Sequence, residues 1–474
     1  MRPFEILLLL TLFIAVIWPI LTDRVPALVR WHTFMRFLPF VGLLIALLHL
    51  LLEHYRWQMV PAYLLTAILS LSAFTALMQR NGNGQPRKPR AFSLSDLLLW
   101  LGAVALPILL PVPQLPPPTG PYAVGTTILH LVDEARPDLL GDPTQPRELM
   151  TQIWYPAAAD ADTPLAPYLD HLQTAAPVLA KRLGLPAFFL GHINLTHTHA
   201  HLDAPVADDA APFPVLLFSH GWQGMRAQNT FQMEELASRG YIVIAPDHTH
   251  AAVVTVLPPD RVVLSNPALL DDSDPVAYAI SSNNVVRVFA ADLQFLLDQA
   301  ALWNESGPLA GHLDLARVGV FGHSTGGGGA VEMCGRDARC GALLVLDGWL
   351  NPVSDDVIAQ VPYVPPALFM KASNSIFNAE NDARLWQVYG HLQAGGTVME
   401  IEGTEHFDFT DIPLLTPLAH RLGLAGTIGA SRGRPLLNAY TLAFFDRALK
   451  NQSAPLLDAP SPAYPEVTFL TPPP

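Results

Sequence analysis

The hydrophobic pattern divides the chain into two different parts. The first 120 residues contain four long apolar segments, and the first two are apolar apart from Glu5 and His49. A transmembrane helix needs about 20 apolar residues, a length that the third and fourth segments reach. No cleavage site of the signal-peptide type follows the first segment. We therefore predict about four transmembrane helices, at residues 4–21, 37–52, 59–78 and 97–115.

From residue 120 onward, short apolar runs alternate with stretches of helical periodicity. Such runs are typical of parallel strands that helices cover on both faces. Strands are predicted at residues 126–132, 148–155, 215–218, 241–245, 318–321, 342–346, 367–371 and 397–401. Helices are predicted at residues 230–239, 284–303 and 436–449. The alternation indicates an α/β fold with a doubly wound, mostly parallel, eight-stranded sheet.

Basic residues beside the apolar segments predict the orientation of the chain. Arg24, Arg30 and Arg36 follow the first segment. The basic residues that follow the third segment are Arg80, Arg87, Lys88 and Arg90. With four crossings both groups lie on one side, which the positive-inside rule assigns to the cytoplasm. We therefore expect a multi-pass protein of the cell membrane whose second part is extracytoplasmic. If one of the four segments did not cross the membrane, the second part would lie on the cytoplasmic side.

A proline-rich stretch separates the two parts. Pro111, Pro113 and residues 116–118 favour extended polyproline geometry, which makes a short and stiff spacer. Such a spacer would hold the second part close to the bilayer surface. The predicted organisation is a transmembrane region at residues 1–110, a linker at residues 111–119 and a catalytic domain at residues 120–474.

Charge and cysteine content exclude two classes of protein. The net charge of −14 argues against nucleic acid as a partner, because binding phosphates needs a basic surface. Cys334 and Cys340 are the only cysteines, so the chain is not a disulfide scaffold. Their spacing allows a disulfide across a loop or two separate small side chains, and both interpretations stay open at this point.

The most specific motif is Gly-His-Ser-Thr-Gly at residues 322–326, directly after the predicted strand 318–321. A G-x-S-x-G sequence between a strand and a helix is the nucleophile elbow of α/β-hydrolases. The tight turn raises the serine hydroxyl above the sheet, and the N-terminus of the following helix favours developing negative charge. We therefore predict that Ser324 is the nucleophile of a serine hydrolase.

A serine nucleophile needs a base, and in this fold the chain order is serine, acid, histidine. His406 follows the predicted strand 397–401 and is the expected base. Asp347 follows the first strand after the elbow, whereas Glu380 and Asp382 follow the next strand. Both positions suit the acid, so the residues alone leave this choice open.

Two backbone N–H groups are expected to form the oxyanion hole. One belongs to Thr325, directly after the nucleophile. The other is expected from Trp222, in the sequence Ser-His-Gly-Trp that follows the predicted strand 215–218. The indole of Trp222 would also form an apolar wall for an acyl group.

Two groups of histidines have spacings that permit metal binding. They are His197, His199 and His201 in one group and His248 and His250 in the other. No glutamate or cysteine is placed to complete either set, and a solvated strand face and a loop after a strand explain them. The glycines after Ser324 lack the lysine of a phosphate-binding loop. We therefore expect neither a metal nor a cofactor.

Several short motifs follow one another along the second part of the chain. They are GPYAVG at 120–125, REL at 147–149, IWYP at 153–156, FSHG at 218–221, GHS at 322–324, LDGW at 346–349, GTEHFDF at 403–409, NAY at 438–440 and FFD at 444–446. In the order and approximate spacing of these motifs, most of residues 120–450 resembles the plasma-type platelet-activating factor acetylhydrolase family, isoform II.

The resemblance implies Asp347 as the acid, because the family places its acid after the strand that follows the elbow. It also implies a calcium-independent esterase that releases short or oxidised acyl chains from the sn-2 position of phospholipids. The N-terminal helices and Trp222 depart from the mammalian members, which leaves the exact substrate open.

Two alternatives remain beside this function. The glycine-rich run after Ser324 is also similar to that of cutinase-like polyester hydrolases, which favours a general carboxylesterase or lipase. The alternative from another class is a membrane-tethered lipid-binding module with an inactive hydrolase fold.

Overall fold

The structure is a computed structural model that describes residues 1–79, 93–158, 163–208, 212–359 and 365–472. The basic loop with Arg80, Arg87, Lys88 and Arg90 lies outside the described residues. The chain divides into two compact units. The helical unit comprises Met1–Pro113, Phe188–Leu195 and Leu415–Leu418. The sheet unit comprises Gln114–Ala187, Thr196–Leu414 and Ala419–Pro474.

The four apolar segments form helices in the helical unit. Its helices are α1 (Pro3–Arg24), α2 (His32–Met35), α3 (Leu38–Leu52), α4 (Val60–Met78) and α5 (Leu94–Leu109). By length and composition, three stretches of the described residues are able to cross a membrane: Pro3–Thr22, Thr33–Leu52 and Trp57–Met78. Helix α5 is apolar but, at about 1.5 Å per residue, only about 24 Å long.

The predicted bounds of the fourth segment, residues 97–115, are wrong. Ser93 and Asp96 form a capping box that starts α5 earlier. The apolar run continues to Leu115, but Pro111 disfavours helical geometry at Leu110, where the helix ends. The prediction took the first two segments as the shorter ones, whereas in the structure the fourth segment forms the shorter helix.

A buried ionic cluster lies at one end of the helical unit. It contains Glu5 and His49, the two polar residues that interrupt the first two apolar segments. The Arg56 guanidinium donates to both carboxylate oxygens of Glu5, at 2.7 and 2.6 Å. Arg2 also donates to Glu5, at 2.8 Å. His49 lies 3.0 Å from the Tyr63 hydroxyl. The cluster thus links the start of α1 with the end of α3 and the start of α4.

The sheet unit is built on one large mixed sheet. Its strands are β1 (Ala123–Pro137), β2 (Pro146–Ala157), β3 (Leu165–Pro167), β4 (His197–Leu202), β5 (Phe213–Ser219), β6 (Ile242–Asp247), β7 (Val254–Leu257), β8 (Arg261–Leu264), β9 (Leu313–His323), β10 (Ala342–Leu346), β11 (Ala367–Asn374), β12 (Gly396–Glu405) and β13 (Val467–Leu470). In the described part of the chain, eleven of them pair in the order β13-β12-β11-β10-β9-β5-β6-β2-β1-β4-β3, and β7 pairs with β8 separately.

All eight predicted strands are present, but the predicted strand number is wrong because the sheet is wider. Strands β3, β4 and β13 extend its two edges. Each is short, and β4 is rich in histidine, so none has the apolar pattern of a buried strand. The central strands β6, β5, β9, β10, β11 and β12 pair in parallel, which confirms a mostly parallel sheet.

Helices cover both faces of this sheet. The helices of the sheet unit are α6 (Leu172–Arg182), α7 (Thr230–Ser238), α8 (Pro275–Glu305), α9 (Thr325–Arg336), α10 (Asp355–Ile358), α11 (Ala379–Gly390) and α12 (Ala430–Lys450). On one face, Val215 and Leu217 of β5 share a core with α8 and α9. On the other face, Phe321 of β9 contacts Phe445 of α12, with ring centroids 5.7 Å apart. This is the doubly wound arrangement that the sequence predicts.

Candidate active site

The predicted nucleophile lies on a strained turn between β9 and α9. Ser324 has φ 56° and ψ −123°, a conformation that non-glycine residues adopt only where the surrounding structure imposes it. Its backbone N–H donates to Leu346 O at 3.1 Å, and its carbonyl accepts from Trp349 at 2.8 Å. A Cβ on Gly326 would lie 2.1 Å from Ser219 O, so only glycine allows α9 to approach β5 this closely.

The predicted base and one candidate acid meet beside this turn. His406 follows β12, and its Nδ1 lies 2.7 Å from Oδ2 of Asp347, which follows β10. The other oxygen of Asp347 accepts from the Ala372 N–H at 3.1 Å. Both side chains are buried. Because a carboxylate only accepts, Nδ1 of His406 carries the proton and Nε2 remains available as a base.

The other acid candidates lie elsewhere. Glu380 and Asp382 belong to the first turn of α11. Asp382 pairs with Lys371 at 2.7 Å, and Glu380 is exposed at the edge of the cavity described below. In the structure, Asp347 therefore pairs with His406, whereas Glu380 and Asp382 do not.

The two predicted oxyanion donors belong to residues that line the same cavity as Ser324. In the described part of the chain, the backbone N–H groups of Trp222 and Thr325 have no protein acceptor. Gly221, directly before Trp222, lies so close that a Cβ there would be 3.0 Å from Ser324 Cβ. Free N–H groups near a serine are what a tetrahedral oxyanion requires.

A cavity of about 570 Å³ opens over Ser324. Four aromatic side chains line it: Trp222, Tyr278, Trp349 and Phe377. Polar groups lie among them, from Ser282, Asn351, Asn378 and Glu380. Phe377 also stands edge-on to the His406 ring, with centroids 5.3 Å apart. The cavity therefore combines apolar walls with a few polar groups, as small-molecule sites do.

The sequence did not reveal a second set of the same three residue types below this site. Ser219 Oγ lies 2.9 Å from His248 Nε2, and His248 Nδ1 lies 2.9 Å from Asp292 Oδ2. We call it the buried set, since all three residues are fully buried. Arg147 pairs with Asp292 at 2.7 Å. No motif marks these residues, because they lie on β5, after β6 and in the middle of α8.

Burial keeps the histidines around the site neutral. It lowers the pKa of His220 and of His323 well below the ordinary value, and it lowers the pKa of His248. His220 Nε2 accepts from the His248 N–H at 3.0 Å, so its Nδ1 donates to Gly221 O. These histidines therefore serve as hydrogen-bonding groups around the Ser-His-Gly-Trp loop.

The remaining histidines that the sequence singled out do not converge on one point where a metal could bind. Each one has a separate partner or is exposed. His199 pairs with Glu234 at 2.8 Å, and this hydrogen bond raises its pKa. His201 Nδ1 lies 2.8 Å from Thr163 O, and His250 lies 3.2 Å from Asp138. His197 is exposed on β4. Separate partners hold these rings apart from one another.

Cys334 and Cys340 form a disulfide, with their Cα atoms 5.2 Å apart. It joins the last turn of α9 to the loop before β10, the two elements that carry Ser324 and Asp347 at their other ends. Of the two interpretations that the spacing allowed, the structure contains the bridge.

Comparison with known proteins gives a consistent result. The family model described as platelet-activating factor acetylhydrolase, isoform II, matches residues 110–266 and 294–455. Platelet-activating factor acetylhydrolase of Cavia porcellus is 25% identical over 362 residues, which cover 71% of this chain and 78% of that protein. A probable 1-alkyl-2-acetylglycerophosphocholine esterase of Arthroderma benhamiae is 27% identical and covers 75% of this chain and 93% of its own length.

A solved structure supports the same fold. The ferulic acid esterase from Streptomyces cinnamoneus superimposes with a TM-score of 0.63 at 30% sequence identity. The match covers 76% of this chain and all of that chain. The sheet unit therefore has the α/β-hydrolase fold of an esterase.

Proposed function

Because this chain belongs to the platelet-activating factor acetylhydrolase isoform II family, and is therefore a carboxylic ester hydrolase, we propose that Ser324, His406 and Asp347 are its catalytic triad. The observation that carries the proposal is the 2.7 Å pairing of His406 with Asp347 beside the turn that holds Ser324. The strained backbone of Ser324 supports it, since such strain clusters at reactive residues.

In the proposed reaction, His406 Nε2 takes the proton of the Ser324 hydroxyl as the oxygen attacks the ester carbonyl. The tetrahedral intermediate collapses, the C–O bond to the alcohol breaks, and the same proton passes from His406 to the leaving alcohol. Water then attacks the acyl-enzyme with His406 again acting as base, and the acid is released. Asp347 stays ionised and holds the proton on Nδ1 of His406.

The backbone N–H groups of Trp222 and Thr325 are the proposed oxyanion donors. Among the described residues neither group has a protein acceptor, so both can donate to the oxygen as negative charge develops on it. The N-terminus of α9 adds a favourable field at the same point. Removing one such donor typically reduces kcat by about 10²- to 10³-fold.

The proposed substrate is a phospholipid with a short or oxidised acyl chain at the sn-2 position. The names of the relatives support this class, since they describe esterases of platelet-activating factor and of 1-alkyl-2-acetylglycerophosphocholine. The cavity of about 570 Å³ lies within the range of about 300–1,000 Å³ typical of small-molecule sites. Its aromatic walls suit a short acyl group better than a charged one.

A second candidate is a general carboxylesterase that accepts bulky or aromatic acyl groups. The observation that favours it is the set of four aromatic rings around Ser324. Aromatic pairs gain about 0.5–1.5 kcal/mol beyond the area that they bury, so an aromatic acyl group would be selected. The structural similarity to a ferulic acid esterase agrees with this candidate.

The apolar helices hint at membrane association, and we propose that residues 1–110 anchor the protein in the cell membrane. Residues 111–119 would be the linker and residues 120–474 the catalytic domain, on the extracytoplasmic side. With α5 as the fourth crossing, Arg24, Arg30 and Arg36 support this orientation by the positive-inside rule. The disulfide supports it as well, because such bonds persist in oxidising compartments.

The test uses the full-length protein in detergent, with Ser324→Ala beside it. The substrates are a short-chain sn-2 phospholipid, nitrophenyl esters of increasing length and a methyl hydroxycinnamate. We expect wild type to prefer the phospholipid and short esters, and the alanine variant to lose at least about 10⁴-fold in rate. A preference for the hydroxycinnamate would favour the second candidate, and equal rates of both proteins would refute the triad. If a serine-reactive phosphonate also failed to label wild type, the lipid-binding module would be favoured.

A further inference from the structure

A chain of hydrogen bonds joins two segments beside the site. We call them the oxyanion loop, residues 219–222, and the base loop, His406–Phe409. The chain of bonds begins at the Gly221 N–H, which donates to Gln228 Oε1 at 3.2 Å. Gln228 Nε2 lies 3.1 Å from His323 Nδ1. His323 Nε2 lies 2.9 Å from the carbonyl oxygen of His406. Two side chains thus connect the backbone before Trp222 with the backbone of His406.

The chemistry of the partners fixes the direction of every bond in this chain. A carbonyl oxygen only accepts, so His323 Nε2 carries the proton that is donated to His406 O. In the neutral ring Nδ1 is then an acceptor, which requires the amide NH₂ of Gln228 to face it. The Gln228 oxygen is left to accept from Gly221. One tautomer of His323 and one orientation of Gln228 satisfy all three contacts.

The neutral state of His323 matters for the reaction. The His323 and His406 rings lie with their centroids 4.5 Å apart. His406 gains a positive charge when it takes the serine proton, and a second charge beside it would oppose that step. Burial lowers the pKa of His323 well below its ordinary value, and the nearby His406 lowers it further. His323 therefore supports the base without repelling its charged form.

Resting on the proposed function, we propose that Gln228 and His323 are positioning residues for ester hydrolysis. They fix the position of the oxyanion loop relative to the base loop. The N–H of Trp222 and Nε2 of His406 can then act on the same carbonyl group. Neither side chain needs to touch the substrate. A displacement of about 1 Å at a reacting group can cost about 10²-fold in rate, which is the scale of effect that such positioning controls.

Other bonds between the same segments allow the chain to be tested apart from folding. Asn229 Nδ2 donates to Phe409 O at 2.7 Å, and the Asp411 N–H donates to Gln228 O at 2.9 Å. These two bonds do not use the Gln228 side chain, whose Nε2 also donates to Asn229 Oδ1 at 3.1 Å. A matched control is Gln232 in the first turn of α7, four residues after Gln228, whose side chain bonds Asn229 and Thr441.

The experiment compares Gln228→Leu and Gln228→Glu with Gln232→Leu in the full-length protein. We expect Gln228→Leu to lower kcat by about 10- to 100-fold with KM within about twofold, and to slow phosphonate labelling of Ser324 in parallel. Gln232→Leu should keep kcat within about threefold. Unchanged kcat in Gln228→Leu, or an equal loss in Gln232→Leu, would overturn the proposal.

Gln228→Glu provides a readout that a purely structural role would not move. Its carboxylate still accepts from Gly221 but cannot donate to His323 Nδ1, whereas the protonated acid does both. The ratio of its kcat to that of wild type should therefore rise as the pH falls from 8 to about 5. A ratio independent of pH would overturn the proposal, even if Gln228→Leu failed to fold. Wild type without esterase activity or labelling would instead refute the proposed function itself.

Discussion

The sheet unit contains the same three residue types in two places, and the two sets differ in almost everything else. We call the first the cavity set, Ser324 with His406 and Asp347, and compare it with the buried set defined above. In both, a histidine is paired with an aspartate, with His–Asp distances of 2.7 and 2.9 Å. Residue types and the His–Asp pairing therefore do not distinguish the proposed reactive site from the buried set.

Position distinguishes them. Ser324 lies on a strained turn, at the N-terminus of α9, with a cavity above it and free N–H groups beside it. Ser219 is the last residue of β5, has no exposed surface and does not line the cavity over Ser324. Asp292 is held by Arg147, which makes the buried set a link between β2, β5 and α8. The buried set therefore lacks the access to solvent that Ser324 has.

The largest expected effect separates the two serines. Ser324→Ala should lower the rate of nitrophenyl butyrate hydrolysis by at least about 10⁴-fold, because the nucleophile is lost. Ser219→Ala should keep the rate within about tenfold, since it removes only one hydrogen bond below the site. Comparable losses in both variants would show that the buried set takes part in the chemistry.

The two aspartates should differ next. Asp347→Asn should lower kcat by about 10³- to 10⁴-fold with little change in KM, because an amide no longer holds the reactive tautomer of His406. Asp382→Asn, on the exposed start of α11, is the matched control and should stay within about twofold. Steady-state kinetics with a short ester measures both, and a large loss in the control would reopen the choice of acid.

In the buried set, the corresponding change should act on stability. Asp292→Asn removes one of the two carboxylates that pair with the buried Arg147, and breaking a buried ion pair of this kind costs about 3–5 kcal/mol. Thermal unfolding in detergent should show a lower Tm, while the folded fraction still reacts with a phosphonate at Ser324. An unchanged Tm would mean that Asp138, which also contacts Arg147 at 2.8 Å, is sufficient.

The smallest expected effect concerns pH. Burial lowers the pKa of His248 in the folded protein below its ordinary value of 6.5. Below that pH the unfolded chain binds a proton that the folded protein does not, so stability falls as the pH falls. His248→Asn keeps a donor toward Asp292 and does not titrate, so its Tm should fall less steeply between pH 7 and 5. Equal slopes for wild type and His248→Asn would contradict this account.

The central strands and the turn that holds Ser324 were predictable because each has a strong local signal. Strands β5 and β10 are continuous apolar runs, and the elbow has a fixed pattern of glycines around Ser324. Strand β4, next to the edge strand β3, was not predicted as part of the sheet, because its alternating histidines carry no apolar pattern. The end of α5 was misplaced because an apolar run continues past Pro111.

Contacts between distant residues that no sequence motif marks could not be predicted from the sequence. The pairing of Ser219, His248 and Asp292 joins residues that no motif connects, and it depends on how β5, β6 and α8 meet. Gln228 stood in a loop without any chemical signal, and His323 was only the variable residue of the elbow motif. Their roles follow from partner atoms and burial, which the fold alone supplies.

The most direct test of the central claim is to find which serine reacts. Full-length protein would be treated with a fluorophosphonate, digested, and mapped by mass spectrometry. Our account predicts one modified peptide, carrying the label on Ser324, and no label on Ser219 because it is fully buried. A label on any other residue, or none on an enzyme that still hydrolyses esters, would contradict the assignment of Ser324 as the nucleophile.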